Sequence, residues 1–456
     1  MLLAALVLLA APAAAARAAH QMPVGFFDDV SFRFSPDSQT NIAAAASTGA
    51  SIIHTTANWS TIAPTKPADA TNGDDPAYRL TDIDDLVANA SRAGMRVMIN
   101  ITGAPKWANG GHTPNYLPKS TSTFATFARM LATRYNGHNG HGSVTLWSVW
   151  NEPNLQQFLY PQYSGKTIVS PAHYGALFKV AYAAIKGASP LSKVAVGETS
   201  AQGRDKNLKG VSQTVSPGTF AKLLAKVKGL KFDAWAHHPY PTSPSAKPLE
   251  KVKYPNVTLS TLPTFEKDLK TYFHHAVPIW ITEYGHETKP GEPHGVTTAQ
   301  QAAYAKQALT IARNDPNVQM FIWFTFRDNS GNPWQSGVEN TNGSHKPSFA
   351  AFSALARLIN GTMTTVKHGA HPTVTVYVPE LAANAGVGAT VGLTYRVYDG
   401  AKLITDSQPT AVIGADESIK FVANFATVKG HTYTVTADVN DANGLSETGS
   451  ATVVAT

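Results

Sequence analysis

The chain contains no cysteine. That absence removes disulfides, thiolate metal sites and cysteine nucleophiles together, and leaves buried core as the source of stability. Charged residues make up only 15% of the 456 positions, and no block of consecutive lysines and arginines gathers the formal net charge of +7 into a stripe. Nucleic-acid binding is therefore not expected. After the N-terminus, no apolar run reaches the ~18 residues of a membrane span. No G-x-G-x-x-G or G-x-x-x-x-G-K-[ST] signature follows a strand-like run, and no G-x-S-x-G elbow surrounds Ser148 in SVWNE. The usual nucleotide sites and the serine-hydrolase elbow are thus missing.

What is present is 43% hydrophobic residue content, enough for large cores. The first residues, MLLAALVLLAAPAAAARAAH, run from apolar to small, with Ala16-Arg17-Ala18 as a cleavage site. Residues 1–19 read as a secretory signal peptide without a positive n-region, and predict a secreted protein, extracellular or periplasmic. From Met22 to about Asn360, strand-like runs such as PVGFFDD, ASIIHTTANW, RVMINITGAP and VPIWITEYG alternate with helical stretches such as LTDIDDLVANASRAG and TAQQAAYAKQALTIARN. Eight such alternations predict a (β/α)8 TIM barrel over residues 20–365, with an open α/β sheet as runner-up. Beyond it, TVTVYVPE, ATVGLTYRVYDG, SIKFVANFATV and HTYTVTADVND are alternating strands parted by turn residues. They predict a small immunoglobulin-like β-sandwich over residues 366–456. From Gly369 onward there are four Lys/Arg against eight Asp/Glu, so the basic excess lies upstream.

Two glutamates fall where a barrel keeps its active site, at the C-terminal ends of strands. Glu152 ends the fourth strand run, LWSVWNEPN, and Glu283 ends the seventh, IWITEYG. Alternation puts Leu146, Ser148, Trp150 and Glu152 on one face, and Ile279, Ile281 and Glu283 on one face of the other strand. Either glutamate alone reads as a solvated strand end. As a pair they suit glycoside cleavage, in which one carboxyl protonates the leaving oxygen and the other attacks the anomeric carbon or activates water.

WNEPN on the fourth strand and ITEYG on the seventh resemble clan A of the glycoside hydrolases, most closely the family 5 endoglycanases and family 39 glycosidases. The resemblance spans the barrel and implies a retaining hydrolase acting on β-linked polysaccharide or oligosaccharide. It implies that Glu152 is the acid/base and Glu283 the nucleophile, with Asn151 on the sugar 2-hydroxyl. His238-Pro239-Tyr240 matches the His-x-Tyr pattern of the sixth strand, the tyrosine contacting the nucleophile and the histidine positioning the site. Trp323 is implied as the aromatic floor, with Phe326 as competitor. Clan members often carry an arginine on the second strand, five residues before a tryptophan; here His54 stands there before Trp59, and it can supply the missing charge only when protonated. The third strand, INITGAPKWA, lacks the family 5 histidine.

Trp59, Trp107, Tyr160, Tyr284 and Trp334 lie near strand-end loops and are candidates for stacking on sugar rings, with packing as the competing role. Glu198 in VGETS and Asp328 in FRDN also end strand runs and are candidate substrate contacts, with structural or solvated roles favoured. His54, His237 and His238 match no metal-ligand spacing, so no metal and no cofactor are expected. The C-terminal sandwich has no tryptophan, and its Tyr377, Tyr395, Tyr398 and Tyr433 favour a spacer over a sugar-binding module. The partner expected is carbohydrate, and the chain reads as a monomer. The rival reading is a non-catalytic carbohydrate-binding protein on the same barrel.

Overall fold

The computed structural model describes residues 22–456, apart from 332–333, 360–362, 379–380, 383–384, 401, 415–417 and 443. The expected signal peptide lies outside the described residues.

Eight parallel strands close into a barrel. They are β1 (Val24–Phe27), β2 (Ile52–Asn58), β3 (Arg96–Thr102), β4 (Leu146–Val149), β5 (Lys193–Ser200), β6 (Ala234–His238), β7 (Ile279–Tyr284) and β8 (Val318–Phe324). The helices between them are α1 (Ser38–Ser47), α2 (Thr81–Arg92), α3 (Thr121–Arg134), α4 (Ser170–Ala188), α5 (Pro217–Leu224), α6 (Leu262–Phe273) and α7 (Thr298–Asn314), and α8 (Pro347–Ile359) follows β8. Helix α5 stops at Leu224, and the lysine- and glycine-bearing stretch KVKG after it forms turns. Thr297 and Gln300 form a reciprocal capping box at the start of α7, satisfying donors that a helix N-terminus leaves open.

Each strand buries both faces, as a barrel wall must. The lumen holds Ile52, Met98, Leu146, Ala195, Ala234, Ala236, Trp280, Met320 and Ile322. Three alanines on β5 and β6 share this layer with the Trp280 indole from β7, so small and large side chains fill one cross-section. The outer faces pack against the helices through Phe26, Trp147, Val196, Trp235, Ile281, Phe321 and Trp323.

The remaining strands are β9 (Met363–Val366), β10 (Thr373–Tyr377), β11 (Thr390–Asp399), β12 (Lys402–Ser407), β13 (Thr410–Val412), β14 (Ser418–Val422), β15 (Thr432–Asn440) and β16 (Ser446–Ala455). They form a six-stranded sheet, ordered β9-β16-β15-β11-β12 with β13 on β11, facing the β10–β14 pair across one apolar core. Tyr395 and Tyr433 belong to that core, their hydroxyls accepting from the backbone N–H of Asn424 and Val428. The sequence reading did not see β16, because SETGSATVVA carries a polar, glycine-containing first half. The sandwich meets the barrel where β3 and β5 begin. Gly94 lies against Gly449 and Ser450, Arg96 Nη1 stands 3.8 Å from Glu447 Oε1, and Leu191 packs on the sandwich core.

Closure depends on one close approach. Gly25 of β1 is paired with Ile52 of β2, and a Cβ at Gly25 would overlap the Ile52 carbonyl. Gly25→Ala should therefore destabilise the barrel by about 1–3 kcal/mol, the cost of overfilling a packed site. Thermal and urea unfolding followed by circular dichroism would measure it; a wild-type melting curve would refute the closure argument.

Candidate active site

The catalytic face is built where strand regularity fails. β4 ends at Val149, and the next residues leave the pleat: Trp150 has φ 67° and Glu152 φ 36°. Such left-handed backbone is costly for residues with a Cβ and persists only where neighbours enforce it. Here Asn100 of β3 donates from Nδ2 to the Trp150 carbonyl (3.0 Å), and the Glu152 N–H donates to the Glu198 carbonyl (2.9 Å). Asn154, fully buried, locks the loop to the end of β5 through Ser200 and to Val215 beyond it. The Asn-Glu-Pro-Asn sequence is thus a clasp that turns Glu152 inward. Trp150, expected on the same face as Glu152, points the other way. Its indole donates to the Phe158 carbonyl and packs in the helix layer.

Glu283 is aimed by a different device. Between β7 and β8 the register advances from Ile281↔Phe321 to Tyr284↔Trp323, so β7 carries one extra residue. A bulge of this kind reverses the face that the following side chains take. Ile279 and Ile281 therefore face the helices, whereas Thr282 and Glu283 both face the lumen side. The expected common face of Ile279, Ile281 and Glu283 is corrected accordingly. A second bulge lies in β5, where pairing with β6 jumps from Gly197↔Ala236 to Thr199↔His237. Gly197 (φ 105°) and Glu198 (φ 48°) form it, and Glu198 turns into the barrel.

Three carboxylates consequently converge on His238, whose ring is buried in the lumen at the end of β6. Its Nδ1 lies 3.1 Å from Glu152 Oε1 and 3.7 Å from Glu283 Oε2, and its Nε2 lies 2.7 Å from Glu198 Oε2. Tyr240 donates its hydroxyl to Glu283 Oε2 at 3.1 Å, and Thr282 donates to Glu198 Oε2 at 2.9 Å.

The charges follow from these contacts. Burial opposes an imidazolium at His238, but Glu283, Glu152 and Glu198 outweigh it and raise the ring well above the usual histidine range. Burial alone would raise Glu198, yet its hydrogen bond to His238 and the His238 charge bring its carboxyl below the ordinary value. Burial pushes Glu283 up to about 7; Glu152 and Glu198 add to the rise, while His238 and Tyr240 oppose it. The Tyr240 phenol, raised first by burial and then by Glu283 and Glu152, stays a proton donor.

A cavity of about 590 Å³ opens above this cluster. Asn151, Glu152, Tyr240 and Glu283 line it together, joined by Phe27, Phe324, Trp334 and Glu287. Several residues expected there lie elsewhere. Trp323 is fully buried in the helix layer with its Nε1 donating to the Ser336 carbonyl, and Phe326 is fully buried too. Along β8 the lumen parity belongs to Met320 and Ile322, so Phe324 and not Trp323 reaches the cavity. Trp59 is buried in a stack with Phe127 and edge-on to Trp107, which donates its indole N–H to Ala63. His54 is buried beneath the site. Its Nδ1 donates to the Thr282 carbonyl, and burial lowers it to about 4, with Glu198 only partly opposing. His54 is thus neutral near pH 7 and cannot stand in for an arginine; the fixed charge sits on His238. His237 faces outward with both nitrogens engaged, by Thr199 and the Val257 carbonyl, so the histidines do not gather. Asp328 holds buried Lys346 at 2.6 Å, and Tyr284 is buried against His286.

Glu198, read foremost as structural or solvated, was the residue whose place in the site the sequence disclosed least. Its one signal is the glycine before it at a strand end, a pattern that marks bulges.

The family model for Cellulase (glycosyl hydrolase family 5) matches residues 19–328. The chain belongs to glycosyl hydrolase family 5. Among curated relatives, this family 5 chain is 23% identical over 306 residues to a β-xylosidase of Caldicellulosiruptor saccharolyticus, covering 62% of the chain and 57% of that protein. It therefore spans little more than half the length of that relative. Among solved structures, a family 39 glycoside hydrolase from Bacteroides cellulosilyticus WH2 superposes with TM-score 0.56 at 17% identity, over 90% of this chain and 81% of the other. A GH5_18 protein from Streptomyces cattleya, solved with GlcNAc, gives 0.53 at 15% identity, over 77% and 85%. These likenesses show a shared fold.

The placement of the aromatics separates two substitutions. Trp334→Ala should raise KM for a sugar substrate at least tenfold with the fold intact. Trp323→Ala should cost about 3–5 kcal/mol of stability as a buried aromatic truncation. Kinetics beside urea unfolding would test the pair; the reverse pattern would return Trp323 to the cavity.

Proposed function

We propose that the chain is a retaining glycoside hydrolase that cleaves β-linked oligosaccharide or polysaccharide. The observation that carries this reading is the meeting of Glu152 and Glu283 at one nitrogen of His238 in the barrel mouth. Their nearest oxygens cannot lie farther apart than the sum of 3.1 and 3.7 Å. That limit favours the ~5–5.5 Å spacing of retaining pairs over the ~6.5–9.5 Å that leaves room for an inverting water.

Glu283, held by the Tyr240 hydroxyl beside the His238 charge, is the nucleophile. Glu152, 13% exposed at the cavity wall, is the acid/base. Burial raises the Glu283 carboxyl to about 7 in the free protein. Positive charge growing at the anomeric carbon favours an ionised Glu283, and the glycosidic oxygen is the acceptor for the proton that Glu152 gives. In the first step the Glu283 oxygen bonds to the anomeric carbon, the glycosidic C–O bond breaks, and Glu152 gives its proton to the departing oxygen. In the second, Glu152 takes a proton from water, whose oxygen displaces Glu283.

The sugar is uncharged on this reading. Glu152, Glu283 and Glu287 line the cavity, and among the described residues no lysine or arginine does. A uronic acid would bring a further carboxylate against them. The likeness to a β-xylosidase makes β-xylosides one natural substrate to try. We place the protein outside the cytoplasm on residues 1–19; a protein that stays in the cytoplasm with Met1 still attached would refute that.

The experiment is hydrolysis of aryl β-xyloside, β-glucoside, β-mannoside, β-galactoside and β-glucuronide, with xylan, β-glucan and mannan beside them. Wild type should release sugar with retained anomeric configuration by NMR. Glu283→Gln should abolish turnover, and Glu152→Gln should lower it by about 10²–10⁴-fold, the usual worth of general acid catalysis. Near wild-type turnover in Glu283→Gln would overturn the nucleophile assignment. Binding without cleavage in wild type would favour the non-catalytic reading. The neutral glycosides should exceed the glucuronide at least tenfold in kcat/KM; parity would refute the neutral-sugar reading.

A further inference from the structure

Resting on the reading of Glu152 and Glu283 as the reacting pair, we propose that Glu198 is a positioning residue: from the β5 bulge it holds His238 as an imidazolium that donates upward to the two reacting carboxylates. Glu198 touches no part of the cavity. Its carboxylate makes its contact with the reacting pair through the ring above it.

Three observations converge on this. The side chain of Glu198 is fully buried, and so is that of His238. A lone carboxylate so placed is strongly disfavoured unless a cation and hydrogen bonds satisfy it. Its Oε2 accepts from two donors on two other strands, His238 Nε2 at 2.7 Å and Thr282 Oγ1 at 2.9 Å. Those bonds fix both the position of the carboxylate and the rotation of the imidazole, because Nε2 is pinned below and Nδ1 is left pointing at Glu152 and Glu283. Finally, the backbone gives up regular pairing for this end: Gly197 and Glu198 take positive φ in a bulge that places the carboxylate inward. Bulges beside active sites re-aim side chains in this manner.

The chemistry requires both nitrogens to be donors. Neutral imidazole carries one N–H, so with Glu198 on Nε2 a neutral ring would present a lone pair to Glu152 and Glu283. The charged ring presents N–H on both sides. The groups facing His238 come from every neighbouring strand. They are Glu198 from β5, Glu152 after β4, Glu283 and Thr282 from β7, neutral His54 from β2, and the Tyr240 ring at 6.4 Å beyond β6. Of the three carboxylates in this set, Glu198 is the one that the reaction leaves unchanged. During the two steps described above, charge moves between Glu152 and Glu283, and each loses its anion in turn. A carboxylate outside the reaction keeps the imidazolium in place while that happens, so the N–H remains aimed at whichever oxygen is developing charge. This is the preorganised electrostatics that enzymes use at reacting centres.

The decisive variant is Glu198→Gln, which keeps the shape and removes the charge. Nitrogen-15 NMR of the histidine rings should show both His238 nitrogens protonated from pH 5 to 8 in wild type. In Glu198→Gln the ring should lose a proton within that range. On the best neutral aryl glycoside, kcat should fall at least 30-fold while KM stays within threefold. Glu198→Asp, which keeps the charge on a shorter arm, should recover part of kcat. A purely structural role would lower the melting temperature and leave the His238 titration and the KM-against-kcat split untouched; that result would overturn the proposal. If Glu198→Gln does not fold, Thr282→Val removes one of the two bonds that hold the carboxylate and should move the His238 titration in the same direction by a smaller amount. An unmoved titration there would also overturn it. The NMR readout needs no turnover. A wild type that cleaves nothing therefore sinks the hydrolase reading, while the His238 titration still decides the role of Glu198.

Discussion

Everything at the mouth of this barrel depends on a buried cation held among carboxylates. His238 is fully enclosed, and an enclosed charge is tolerable only with its counter-ions in place. Removing Glu198, Glu152 or Glu283 would change the charge on the ring as well as the group removed. The three glutamates and the histidine are one electrostatic unit, and mutational effects within it should not add. The same unit explains why the carboxylates sit so close: each is repelled by the others, and His238 is the charge that reconciles them.

A regular (β/α)8 wall would not deliver these groups. Strict alternation sends every second residue into the lumen, and a layer of alanine, isoleucine, methionine and tryptophan fills it. Glu152 arrives by leaving its strand in a left-handed turn, and Glu198 and Glu283 arrive on bulges. Each departure costs hydrogen-bonding regularity or backbone strain, and each is secured by a neighbour: Asn100 and Asn154 for the first turn, Thr282 and His238 for Glu198. The outer packing of the wall thus provides the rigidity that its irregular rim consumes.

This division also marks what could be read without coordinates. The alternation of apolar strands and amphipathic helices revealed the barrel, because periodicity of 2 and 3.6 survives in a single sequence. The acidic ends of the fourth and seventh strands were legible from their place in that alternation, and Asn151 and Tyr240 from the motifs that carry the family resemblance; all four line one cavity. Side-chain direction was not. An extra residue in β7 or β5 shifts every later side chain to the opposite face, and nothing in IWITEYG announces it. Trp323, implied by the resemblance, gave place to Phe324 because the lumen parity of β8 runs through Met320 and Ile322. His54 failed for another reason: its protonation is set by burial from several strands at once, which no local pattern encodes. Glu198 was hidden by both effects together.

The sandwich docks at the beginnings of β3 and β5, through Gly94, Arg96 and Leu191. Those positions belong to the end of the barrel opposite the cavity. A long polymer could therefore lie across the mouth without meeting the second domain, and the two ends of the molecule answer to separate demands. Sequence drift at the docked end can adjust how long the protein survives in its surroundings, while loops at the open end change what it acts on. For an engineer, the same separation offers a handle: a partner fused in place of, or behind, the sandwich would hang from the floor of the barrel and leave the mouth clear.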